Sequence, residues 1–169
     1  MAACGVRALV QRVLRASVVV RHPNGPTGSG PPAGSGSPTN AEVVGSIGPG
    51  PCVLVGVTHH DTEQQAKKIA ERIWHLRIID DTHGVMNRSV GETTREVLVV
   101  SQFTLYGDTT RGRRPSWIAA ARPEQAEPLV QLVVDELGRL GAIVATGRFR
   151  TDMAVELVND GPVTVLLEV

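Results

Sequence analysis

The chain is poor in the features that would assign it quickly. It has only two cysteines, Cys4 and Cys52. They form no CxxC pair, which argues against a disulfide framework or a cysteine zinc site and fits a reducing compartment. Lys plus Arg and Asp plus Glu both number 17, so net charge points to no partner and electrostatic arguments must rest on local clusters. No apolar run approaches the length of a membrane span. Residues 1–13 place Arg7 and Arg12 inside their apolar stretch, so no signal peptide is expected. The sequence also lacks a G-x-G-x-x-G or Walker loop, a GxSxG elbow, an ordered Ser-His-Asp set and an HExxH pair. His59, His60 and His75 have no ligand partners at metal spacing and read as exposed or capping histidines; no metal and no cofactor is expected.

What is present centres on residues 96–117, EVLVVSQFTLYGDTTRGRRPSW. The unbroken run from Val97 to Val100 suits a strand covered on both faces. It gives way to hydrogen-bonding side chains at Ser101, Gln102, Thr104 and Tyr106, interleaved with Phe103 and Leu105. A loop carrying Arg111, Arg113 and Arg114 follows. A buried strand that ends in polar groups beside a cationic loop is suited to an anionic ligand.

Alternation predicts strands at 6–13, with Val6, Ala8, Val10 and Arg12 on one face, and at 17–21. Residues 22–40 hold five Gly and five Pro with no large apolar residue. They read as a flexible insert expanding a hairpin turn, at small entropic cost. A strand resumes at 42–46, a turn spans 47–51, and 52–57 is a further buried strand. Asp61 or Thr62, with Gln64 or Gln65, caps a helix whose stripe is Ala66, Ile69, Ala70, Ile73 and Trp74. Residues 80–95 read as a polar, turn-rich connection. A second helix is expected over 125–140, with Pro128 in its first turn and Gly141 ending it. Strands at 143–149, 154–158 and 163–168 close the chain. The expectation is a single α+β domain over 1–169, with two main helices and mixed, antiparallel-rich sheets able to curl into a barrel.

Between the last two strands, NDGPVT at 159–164 reads as a tight turn, and its Gly-Pro bond has an appreciable chance of being cis. SQFTLYGD at 101–108, GRRPSW at 112–117 and NDGPVT at 159–164, in that order, resemble the D-aminoacyl-tRNA deacylase family. VRALVQRV, EVVGSIGPG and LVGVT look like its N-terminal half. The insert at 22–40 replaces a short hairpin turn, and Gly107 stands where family members often carry Ala.

The resemblance implies a cytoplasmic homodimer that hydrolyses the ester between a D-amino acid, or glycine, and the terminal adenosine of tRNA. Ser101, Gln102, Phe103 and Thr104 would line the pocket. Gly161 and Pro162, joined by a cis bond, would reach into the partner subunit's pocket as a chirality filter. Arg7 and Met153 would support loop and pocket, and Arg111, Arg113 and Arg114 would meet acceptor-stem phosphates. Thr104 has no adjacent base to activate it, so backbone N–H groups at Phe103 and Thr104, a water and the ribose 2′-hydroxyl are the expected catalytic means. Rival readings are a non-catalytic tRNA-binding module and a general esterase using Thr104. The paired SQFT and Gly-Pro motifs speak against the first and the missing base against the second.

Overall fold

A strand with alternating apolar residues can pair along both edges, and β1 (Arg7–Arg21) does so over its whole length. The computed structural model describes residues 5–21, 41–93 and 96–169; the insert at 22–40 and Cys4 lie outside them. The two strands expected at 6–13 and 17–21 are therefore one. Along one edge β1 pairs antiparallel first with β3 (Gly50–Gly56) and then with β2 (Ala41–Ile47). Along the other edge it pairs with β8 (Met153–Glu168). The strands expected at 154–158 and 163–168 are likewise continuous in β8. NDGPVT is not a hairpin turn between them: β1 advances from Gln11 to Val13 while β8 runs from Thr164 back to Asn159, so the segment is looped out as a bulge.

The apolar runs of β3 and β6 (Glu96–Ser101) pair in parallel, and β6 pairs in parallel with β7 (Ile143–Thr146). Both runs are covered on both sides, as strands of that composition require. Val53, Val55, Val97 and Val99 pack with Ile69, Ile73, Val133 and Leu137 of the helices. Cys52, Leu98 and Val100 pack in a second core with Val13, Ala16 and Val18. A second register shift against β8, with Leu14 the extra residue of β1 between Val13 and Arg15, accompanies its division between both cores: Ala8 and Val10 enter the first, Val13, Ala16 and Val18 the second. The sheet curls until β2 meets β7 and is nearly closed. A Cβ at Gly45 would lie 2.4 Å from the Thr146 carbonyl oxygen, so only glycine permits that approach.

Helix α1 (Glu63–Trp74) buries the expected stripe, and Gln65 Oε1 accepts the Thr62 N–H at 2.7 Å to cap it. Residues 80–95 hold more than a connection. β4 (Arg77–Asp80) and β5 (Met86–Ser89) form a hairpin, followed by the short α2 (Val90–Thr93). Asp81 Oδ1 builds the hairpin turn by accepting the N–H groups of His83 and Val85 at 2.8 and 3.1 Å, and these bonds hold its carboxyl below the usual range. Helix α3 (Pro123–Leu140) starts earlier than expected, on Pro123. That places Pro128 beyond the first turn, where it removes one helical hydrogen bond on a solvent-exposed face. Gly141, at φ 112°, ends the helix in the left-handed conformation that the sequence anticipates. Among the described residues, no helix is long and apolar enough to cross a membrane.

Candidate active site

The chain leaves β6 through a 3-10 turn, Phe103–Tyr106, which replaces further strand because Gln102 redirects the backbone. The Gln102 N–H still donates to the Val55 carbonyl at 2.7 Å, tying the exit to β3. Its side-chain Nε2 donates to Thr104 Oγ1. Within the turn, Leu105 N–H bonds the Gln102 carbonyl at 3.2 Å and Gly107 N–H the Thr104 carbonyl at 3.0 Å. The first N–H groups of such a turn have no acceptor inside it. Among the described residues the N–H groups of Phe103 and Thr104 have no partner elsewhere either.

The turn is braced from below. Arg7 donates through Nη1 to the Leu105 carbonyl at 2.8 Å, pairs with Glu168 at 2.5 Å, and lies 4.7 Å over the Tyr106 ring. Tyr106 is buried and its hydroxyl donates to the Gly5 carbonyl. Burial, reinforced by the negative charge of Asp61, raises the phenol above its ordinary pKa, so it stays neutral.

Ser101, Gln102 and Phe103 open on a cavity of about 550 Å³, with Trp117, Arg150 and Met153 among its other walls. Volumes of this size suit a small-molecule moiety. Phe103 and Trp117 meet edge to face, 5.4 Å apart at 76°. The Trp117 wall is fixed from β3 outward: Ala121 N–H donates to the Val57 carbonyl at 2.9 Å and Thr58 Oγ1 to the Ala119 carbonyl at 2.6 Å. His59 Nε2 lies 2.7 Å from the Ile118 carbonyl oxygen, a structural contact. Among the described residues no cluster of ligands could hold a metal ion.

The structure thus gathers Ser101, Gln102, Phe103 and Met153 at one cavity, with Thr104 one step behind them. It keeps the other predicted residues apart. Arg111, Arg113 and Arg114 are exposed on a loop closed by Asp108 and Ser116, whose backbones exchange bonds of 2.9 and 2.8 Å. Gly161 and Pro162, joined by a cis bond, are exposed on the β8 bulge and do not line the cavity.

Two features escaped the sequence. Arg12, only 9 % exposed, touches the Gly-Pro segment of its own chain. Its Nε lies 3.0 Å from Asp160 Oδ2, although poorly aligned for a hydrogen bond, and its Nη1 donates to the Ile78 carbonyl at 2.8 Å. The second is the cavity wall at 149–152, between β7 and β8. There Arg150 adopts φ 57°, a left-handed conformation for which glycine would be the usual signal.

A model of the D-Tyr-tRNA(Tyr) deacylase family matches residues 9–168. A D-aminoacyl-tRNA deacylase of Symbiobacterium thermophilum is 52 % identical over 96 % of this chain and 95 % of its own. One from Heliobacterium modesticaldum is 51 % identical over 96 % of both chains, and one from Streptomyces avermitilis is 51 % identical over 96 % of this chain and 99 % of its own. Among solved structures, a c-Myc DNA unwinding element binding protein superposes with a TM-score of 0.80 at 33 % identity, covering 96 % of this chain and 98 % of that one. A probable eukaryotic D-amino acid tRNA deacylase superposes at 0.73 and 15 % identity, over 98 % of this chain and all of that one, a likeness of fold. With the family model spanning nearly its whole length and relatives this close, the chain belongs to the D-aminoacyl-tRNA deacylase family.

Proposed function

We propose that the protein hydrolyses the ester bond of D-aminoacyl-tRNA, and of glycyl-tRNA, releasing the amino acid and tRNA. The observation that carries this reading is the pair of unpartnered backbone N–H groups at Phe103 and Thr104, on a rigid turn at the edge of the cavity. Ester hydrolysis passes through a tetrahedral intermediate whose oxygen bears the charge, and fixed N–H dipoles are well suited to stabilise it. Water adds to the carbonyl carbon, assisted by the substrate's own 2′-hydroxyl. The intermediate collapses with cleavage of the carbon–oxygen bond to the ribose, whose oxygen takes up a proton. An aminoacyl ester is already activated, so the residues' task is to position it, and no cofactor is needed.

Discrimination between enantiomers calls for a stiff surface near the α-carbon. Gly161 and Pro162 form one, and in a single chain they stand exposed, away from the cavity. We take the functional unit to be a homodimer in which each subunit's Gly-Pro segment enters the other's cavity. It leaves room for a hydrogen and none for an L side chain, and it cannot reject glycine. Arg111, Arg113 and Arg114 then meet acceptor-stem phosphates without reading bases. Such a substrate places the activity in the cytoplasm, as proofreading of chirality in translation.

The test is direct. The protein is incubated with D-Tyr-tRNA, L-Tyr-tRNA and Gly-tRNA, and free amino acid is followed. Release from the first and third and almost none from the second is expected; comparable hydrolysis of both tyrosyl enantiomers refutes the reading.

A further inference from the structure

Among the described residues, Arg150 is the one non-glycine with positive φ. An L-residue held there is strained, and glycine would avoid the strain. Nothing local demands an arginine. The turn at 148–153 is built by others: Thr151 Oγ1 donates to the Arg148 carbonyl at 2.8 Å, Arg148 N–H to Met153 Sδ at 3.4 Å, and Arg148 pairs with Glu42 at 3.0 Å. Arg150 itself makes no hydrogen bond or ion pair among the described residues, yet it lines the cavity beside Phe103 and Trp117.

The other charged group on the cavity wall is Asp152. It faces Arg21, with Nη1 4.0 Å from Oδ2, and its carbonyl accepts the Arg21 N–H at 2.9 Å. Asp152 thus has Arg21 as a distant, exposed partner, whereas Arg150 has no ionic partner among the described residues. A guanidinium presents a planar fork matched to a phosphate.

We propose that Arg150 is a substrate-binding residue that takes the phosphodiester next to the terminal nucleoside of single-stranded RNA. The identity of this anion rests on the substrate proposed above. The site is distinct from the arginine loop at 111–114: that loop can act along a stem, whereas Arg150 acts at the cavity itself.

The test uses the full chain and its Arg150→Gly variant, which removes the cation and relieves the backbone together. Affinity for a short single-stranded RNA is measured by fluorescence anisotropy over a series of salt concentrations, beside deacylation of D-Tyr-tRNA. We expect Kd to rise about tenfold, as loss of one charged contact implies. The slope of log Kd against log salt should fall by about 0.7, the value for one phosphate on a single strand. Tm should not drop, so a folding defect would not account for the loss. Unchanged RNA affinity and slope overturn the proposal, whatever deacylation shows. Weakened RNA binding by the variant, in a protein that deacylates nothing, upholds the anion site and refutes the proposed function instead.

Discussion

Arg12 Nε lies 3.0 Å from Asp160 Oδ2, so the residue that precedes Gly161 is held by the strand across from it. The same guanidinium reaches the Ile78 carbonyl at 2.8 Å and Asp80 Oδ1 at 3.3 Å. One planar group thereby joins β1, β4 and the bulge of β8. A Cβ at Gly161 would lie 3.2 Å from Arg12 Nη2, which shows how closely the bulge rests on it. The base of the exposed Gly-Pro segment is thereby anchored, which suits the filter proposed for it.

Arg12→Ala should cost about 2–4 kcal/mol, since it strands a buried carbonyl and unpairs two carboxylates that are themselves partly exposed. Arg12→Lys keeps the charge and loses the fork. It should fold with a Tm near the parent's yet hydrolyse D-Tyr-tRNA at least about tenfold less efficiently and reject L-Tyr-tRNA less sharply. If Arg12→Lys retains both rate and selectivity, the anchoring role is wrong.

Gly107→Ala probes the cavity's aromatic wall. The added Cβ would lie 2.6 Å from Trp117 Cζ3 and 3.1 Å from the Thr104 carbonyl oxygen. Gly107 has φ −65°, so the backbone accepts alanine and the cost is steric alone. The Trp117 ring must shift, at about 1–3 kcal/mol. Tm and the Trp117 emission maximum, read in a Trp74→Phe background, should both shift; no shift in either would mean that the wall is loose.

Asp61 supplies a pH dependence of unusual sign. Burial raises its pKa, against the opposing Thr58 N–H at 2.7 Å and the charge of His60. The folded state therefore binds this proton more tightly than the unfolded chain. Its contribution is most favourable below the ordinary carboxylate pKa and is lost as pH rises through the raised value. Asp61→Asn keeps an acceptor for Thr58 and removes the charge. The Tm difference between variant and parent should grow more positive from pH 3.5 to pH 7, measured by calorimetry; a difference that is flat or falls with pH would count against buried charge at this position.

Cys52 lies in the inner core against Leu98 and Val100, fully buried, and burial pushes its thiol up to about 11. A neutral, inaccessible thiol is inert. At pH 8, iodoacetamide should leave Cys52 unmodified in the folded protein and label it in guanidinium, as peptide mass mapping would reveal. Labelling at equal rates under both conditions would contradict the packing of this core.

Local pattern made part of this molecule readable in advance. Val97 to Val100 and the stripe from Ala66 to Trp74 announce their burial by run and period, because each depends on its own segment. The SQFT and Gly-Pro motifs were visible as strings. What they rest on was not. The continuity of β1 and β8 comes from pairing between residues such as Val10 and Val165, far apart in the chain. Alternation puts Arg12 on the strand face of Val6, Ala8 and Val10, yet says nothing of Asp160 and Ile78, the partners its guanidinium finds there. Arg150 gave no sign because left-handed backbone is ordinarily announced by glycine or asparagine. Pro128 falls beyond the first turn because the helix start at Pro123, two residues earlier than the pattern suggests, depends on the loop after Trp117 being held at Val57 and Thr58, just past β3.

Thr104 is the side chain that most invites a covalent mechanism, and its surroundings speak against one. Its Oγ1 accepts a hydrogen bond from the Gln102 side-chain amide, which cannot take up a proton as a base would. The proposed chemistry uses the Thr104 backbone N–H, which survives any substitution except proline. Removing the hydroxyl should therefore cost no more than a neutral hydrogen bond, about tenfold or less in rate. Removing a true nucleophile costs on the order of 10⁶ in kcat, so the two cases are well separated. Thr104→Ala should retain substantial deacylation of D-Tyr-tRNA under single-turnover conditions, with no tyrosyl adduct on the parent protein by intact mass. A trapped ester at Thr104, or activity lost to the level of uncatalysed hydrolysis, would assign the chemistry to the hydroxyl and displace the backbone mechanism.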